Sequence, residues 1–112
     1  MNKIEELHTK AMEAAHDALL ARRMADEKQA EAAFLRAHKL ESEAAHLAVE
    51  EKIPEPSRSV LLRSAATLAL DVGEMREAER LAAMGLVGDP PPEIADELRT
   101  VLEKCLSLSG TK

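Results

Sequence analysis

The sequence predicts an all-α fold of antiparallel helical hairpins, and three observations predict it. The first fifty residues contain neither Gly nor Pro and are rich in Ala, Glu, Leu, Lys and Arg, the strongest helix formers. Apolar residues recur along the chain at alternating three- and four-residue spacing, which marks one face of a helix. The interruptions are short and carry helix-stopping residues: Pro54 and Pro56, Gly73, Gly88, and Pro90 to Pro92. At 112 residues the chain suits one domain and is too short for two ordinary ones.

The first helix presents Ile4, Leu7, Ala11, Ala14, Ala18, Ala21 and Ala25 on one face. A break falls at Ala25-Asp26, where Asp26 is placed to cap a second helix and Gln29 follows at capping-box spacing. That second helix carries Ala30, Ala33, Phe34, Ala37, Leu40, Ala44 and Leu47 and runs to Glu51. Ile53-Pro54-Glu55-Pro56 ends it and holds the chain extended. Ser57 or Ser59 is expected to cap a third helix, with Val60, Leu61, Ala65, Leu68 and Val72 facing inward and Gly73 ending it. A fourth helix spans Glu74 to Leu86 and stops at Gly88. Pro92 opens the fifth, with Glu93 and Glu97 near the positive end of its dipole and Ile94, Leu98, Val101, Leu102 and Cys105 on its apolar face. Residues 107–112 are expected to fray. The expected organisation is a single helical domain over 1–112. It comprises a long hairpin (1–52), a proline-containing linker (53–58), a second hairpin (59–92) and a capping helix (92–108).

Composition removes several function classes. The formal charge is −6, divided equally between residues 1–52 and 53–112, which disfavours phosphate-backbone binding. Phe34 is the sole aromatic residue, so there is no stacking platform for single-stranded nucleic acid. A lone cysteine, Cys105, excludes an internal disulfide and a multi-cysteine zinc knuckle. No apolar run follows Lys3 as in a secretory leader, and none approaches the roughly 20 residues that cross a bilayer. A cytoplasmic protein without membrane contact is therefore expected.

The second half is also self-consistent as a repeat. Leu62, Ala65, Ala66, Ala69, Gly73, Met75, Ala78, Ala82, Gly85 and Pro90 together resemble a tetratricopeptide repeat over residues 59–92. The resemblance implies that Ala66 and Ala78 lie where the two helices of the hairpin cross most closely. It puts Gly73 in the turn, Met75 where an aromatic is usual, and Pro90 at the repeat's close. A fainter copy over residues 11–42 carries Ala18, Ala21, Ala25, Ala30, Phe34 and Ala37. It departs from the pattern at Ser42, which replaces the closing proline, and at Asp17, where an apolar residue is expected. Ala30 and Ala78 are 48 residues apart, whereas the family repeats near a period of about 34, so the second helix must overrun its repeat. The segment from Pro56 to Lys104 also resembles a family of small uncharacterised bacterial proteins, which brings no known activity.

By this resemblance the first helix of each hairpin lines a binding groove. The matching positions are Met12, Ala15, Leu19, Arg22 and Arg23, then Val60, Arg63, Thr67, Leu70 and Asp71. Ala15 and Leu19 stand where adaptor members carry the Lys and Asn of a peptide-carboxylate clamp, so no such clamp is implied. The functional expectation is a protein–protein interaction module that takes a peptide or helix of an unknown partner protein. Apolar contacts would supply affinity, and Arg22, Arg23 and Arg63 would orient an acidic or mixed ligand. The alternative is a self-associating homodimer through Ile4, Leu7, Ala44 and Leu47 on the overrun of the long hairpin.

A third reading uses the histidines. An antiparallel hairpin could pair His8 with His46 and His16 with His38. A register with Ala18 opposite Ala30 leaves each pair about six residues, or roughly 9 Å, out of step, and zinc requires ligand nitrogens within about 2.1 Å. Glu5, Glu13, Glu41, Glu43 and Glu50 read as solvated helix faces, and Cys105 as a buried thiol. No catalytic constellation, phosphate loop or cofactor motif is present, so neither an enzyme nor a cofactor or metal site is expected.

Overall fold

In the computed structural model, which describes residues 2–108, the chain forms five helices, and no strand occurs among the described residues. They are α1 (Lys3–Arg23), α2 (Glu27–Glu50), α3 (Ser57–Asp71), α4 (Met75–Val87) and α5 (Pro92–Leu108). The fold is all-α. Each helix packs on the next, and α3 also packs on α5. The molecule measures 46 × 39 × 20 Å, and its least dimension equals two helix layers of about 10 Å.

Alanine decides how the first hairpin closes. Ala11, Ala18, Ala30, Ala37, Ala44, Ala45 and Ala48 are all buried. Side chains of a single methyl let two helix axes approach closely. Near the hairpin's tip the alanines pack around Phe34 and Leu68, and the Arg22 guanidinium lies 4.6 Å from the Phe34 ring centroid. The larger core draws on all five helices, with Leu62, Leu81 and Leu98 completely buried. Ala66 and Ala78 are also fully buried in it. At Gly85 a Cβ would stand 2.8 Å from Leu98 Cδ1 and 3.5 Å from Leu62 Cβ. The Leu62 distance is ordinary contact, so hydrogen at this position spares the buried Leu98 side chain of α5 from having to shift.

Three of the helices end in the same way. The amides of Ala25, Lys52 and Gly73 bond to carbonyls three residues back, and the following amides, of Asp26, Ile53 and Glu74, bond five residues back. This is the Schellman pattern, and it needs a left-handed residue. Ala25 (φ 62°), Lys52 (φ 55°) and Gly73 (φ 81°) supply it, though only Gly73 announces itself in the sequence.

The helix starts differ more from expectation. Asn2 and Glu5 form a reciprocal capping box on α1. Asp26 caps α2 by accepting from the Gln29 N–H at 3.2 Å. Neither Ser57 nor Ser59 caps α3. Ser57 is its first residue, and Pro56 precedes it in a helical rather than extended conformation. Glu55 does the capping instead: Oε1 accepts from the Ser59 N–H and Oε2 from the Asp89 N–H, each at 3.0 Å. Its two oxygens serve two chain segments at once, so the α2–α3 linker and the α4–α5 turn are joined through one side chain. At the other end, Ser107 and Leu108 remain helical; the rest of the expected frayed tail, 109–112, lies outside the described residues.

The expected self-association surface is internal. Ile4, Leu7 and Ala44 are buried in the main core and Leu47 is half-buried against it. The overrun of α2 is not left bare, because α3 folds back and packs on it.

Candidate functional site

Residues of α1, α3 and α5 border an open groove of about 510 Å³. Leu68 and Val101, both buried, give it an apolar base. Met12, Leu70 and the hydroxyl-bearing Ser64, Thr67 and Thr100 surround that base. Arg63 and Glu97 form an ion pair across the α3–α5 side, and Lys104 stands further along α5. Towards the α3 C-terminus, Asp71 faces Arg22 of α1 and Lys104 of α5. Desolvation pushes its carboxyl above the usual range against the pull of those two cations. Of the groove's lining residues, Arg63 and Lys104 outnumber Glu97, on a chain whose formal charge is −6.

Of the ten positions expected to line a groove, the structure brings Met12, Arg63, Thr67 and Leu70 together. The others are dispersed. Val60 borders a second recess, of about 280 Å³, with Ile4, His8 and Ile53. Arg22 and Asp71 line a third with Phe34 and Glu31. Ala15 is half-buried against the smaller core cluster, and Leu19 and Arg23 are exposed beyond the groove's margin. The sequence reading missed the wall contributed by α5, which it treated only as a cap. Glu97, Thr100 and Lys104 do recur at helical spacing on the polar side of that helix, and this was the available signal.

A second feature adjoins the groove. Glu41 is 0% exposed, and His8 Nδ1 lies 2.9 Å from each of its carboxylate oxygens. Arg63 and Ser64 of α3 also act on it. Burial pushes the Glu41 carboxyl up from its ordinary value, with His8, Arg63 and Ser64 opposing. The expectation of a solvated Glu41 is corrected: it occupies a position on the stripe Ala37, Glu41, Ala44, Ala48 that faces the seam. The hairpin register explains its partner. With Ala18 opposite Ala30, His8 falls within one residue of Glu41 and far from His46, which instead reaches Glu77 on α4 (Nε2 to Oε2, 3.3 Å).

Among the described residues no group of three or more His, Cys, Asp or Glu side chains is placed to hold a metal ion. Cys105 is buried, and its Sγ–H donates to the Met75 carbonyl at 3.5 Å. Burial, reinforced by Glu79, pushes its thiol up, which suits a packing role and not a nucleophile. No helix among the described residues is long and apolar enough to cross a membrane. No protein-family model matches the chain, and neither a curated protein nor a solved structure does.

Proposed function

We propose that this protein is an interaction module that seats an amphipathic helix of a partner protein in the groove between α1, α3 and α5. The observation that carries this is the groove's construction: an apolar base of Leu68 and Val101, hydroxyls beside it, and cations at its margins. A helix lying there would bury leucine-type anchors against Met12 and Leu70. Acidic side chains beside those anchors would meet Lys104, and charge of that sign sets orientation and partner choice more than raw affinity. The tetratricopeptide-like spacing of Ala66, Gly73, Ala78 and Pro90 supports the same use of alternate helices as groove walls. We assign no catalytic step to the chain and place it in the cytoplasm.

Calorimetric titration with a synthetic helix, leucines on one face and glutamates flanking them, tests the proposal. Thr67→Glu combined with Thr100→Glu adds charge at two exposed groove positions and should weaken binding by about tenfold or more, equivalent to about 1.4 kcal/mol. Equal binding by that variant, or no binding by the wild-type protein, would sink it.

A further inference from the structure

Glu41 is a buried carboxylate that helix binding in the groove does not by itself require. Desolvating such a group costs stability, and the alanine seam around it would accept a neutral residue. Its partner His8 is one helical turn before Met12, the α1 residue that lines the groove. His8 borders the recess formed with Ile4, Ile53 and Val60, and also the shallow concavity that contains Met12 and His16. Its side chain is 39% exposed.

The pairing dictates the ring's chemistry. An ionised carboxylate only accepts hydrogen bonds. With Glu41 ionised and both its oxygens at 2.9 Å, Nδ1 carries the proton. The ring's remaining nitrogen, Nε2, then offers a lone pair when the imidazole is neutral and an N–H when it is charged. The groups around the pair are few. Glu5 of α1 and the uncharged Ser57 and Val60 of α3 share the recess. Arg63 and Ser64 of α3 face Glu41. Glu13, His16 and Asp17 lie on the outer side of α1.

Building on the groove as a helix-binding surface, we propose that His8 is a proton-gated contact for the acidic partner helix and that Glu41 is the positioning residue that fixes its tautomer. Neutral His8 turns a lone pair towards an incoming carboxylate and disfavours it. Charged His8 donates Nε2–H to that carboxylate, a charge-assisted hydrogen bond of the stronger kind. The partner is held more tightly as the ring gains its proton.

Nitrogen-15 NMR of the imidazole rings in the free full-length chain tests the tautomer without any ligand. Neutral His8 should show a protonated Nδ1 and a bare Nε2; the reverse tautomer would overturn the proposal. In Glu41→Gln the amide can either donate or accept, so the neutral ring should become a mixture of tautomers. A ring still held as Nδ1–H there would remove Glu41 from its role. The contact is tested with the same leucine- and glutamate-bearing synthetic helix. Wild-type affinity should rise roughly tenfold between the neutral and charged states of the His8 ring. His8→Gln should abolish that rise, as should a helix with glutamines in place of glutamates. Equal pH dependence in wild type and His8→Gln would overturn the contact while leaving the groove intact; no binding at either pH would overturn both. If Glu41→Gln does not fold, the wild-type tautomer and His8→Gln still decide.

Discussion

His8 Nδ1 sits 2.9 Å from both carboxylate oxygens of Glu41, across a seam otherwise built of alanine. Burial holds the Glu41 carboxyl above its ordinary range. The folded protein therefore binds this proton more tightly than the unfolded chain does. Glu41's contribution to stability is full below the unfolded value and is lost as pH rises through the folded one. Glu41→Gln removes that dependence. Urea unfolding at a series of pH values should show the stability gap moving in the variant's favour from acid to neutral pH. A gap that moves the other way contradicts the assignment.

Glu55 should behave with the opposite sign. Desolvation pushes its carboxyl up, but hydrogen bonds from Ser59 and the Asp89 N–H, with Arg58 nearby, outweigh it and hold the group below its ordinary range. Its contribution is present above the unfolded value and is lost as pH falls through the lower folded one. Glu55→Ala should cost about 1–2 kcal/mol at neutral pH, the size of a strong helix cap, and the cost should shrink on acidification. The same unfolding series checks it.

Ala25 and Lys52 occupy left-handed backbone positions that suit glycine. An L-residue there costs roughly 1–2 kcal/mol, partly offset by the greater freedom of glycine in the unfolded chain. Ala25→Gly and Lys52→Gly should each stabilise by about 0.5–1 kcal/mol. Gly73→Ala should destabilise by a similar amount; nothing lies within 4 Å of a Cβ there, so the backbone conformation alone decides. Denaturant midpoints separate the three variants.

Gly85→Ala brings a Cβ to 2.8 Å from Leu98 Cδ1. Overpacking of this kind costs roughly 1–3 kcal/mol, against about 1 kcal/mol gained in helix propensity. Net destabilisation is expected, and Leu98→Val should relieve it in a double-mutant cycle. Ala66→Leu and Ala78→Leu, both at fully buried positions, should each lose roughly 1–3 kcal/mol without such relief.

The helices were legible because their signals are local. Gly73, Gly88 and Pro92 mark ends or starts, and the alanine stripes mark faces. Ala66 and Ala78 were placed at the helix crossing by the repeat resemblance, and both are fully buried. Glu41 was misread because its charge spoke louder than its position on the Ala37–Ala48 stripe. Glu55 was missed because its second acceptor serves Asp89, far along the chain. The α5 wall of the groove left only the helical spacing of Glu97, Thr100 and Lys104 in the sequence, and what that polar side faces depends on how Leu98 packs against Gly85. The proposed dimer surface failed for the same reason: whether Ile4, Leu7 and Ala44 are covered depends on the path of α3, which no local pattern encodes.

The most direct test of the central claim is an amide chemical-shift map of the nitrogen-15-labelled protein titrated with the acidic synthetic helix. Saturable shifts should concentrate at Met12, Arg63, Thr67, Leu70, Thr100 and Lys104, with α2 and α4 largely silent. Shifts centred on α2 or α4, or none at saturating peptide, would contradict a binding groove between α1, α3 and α5.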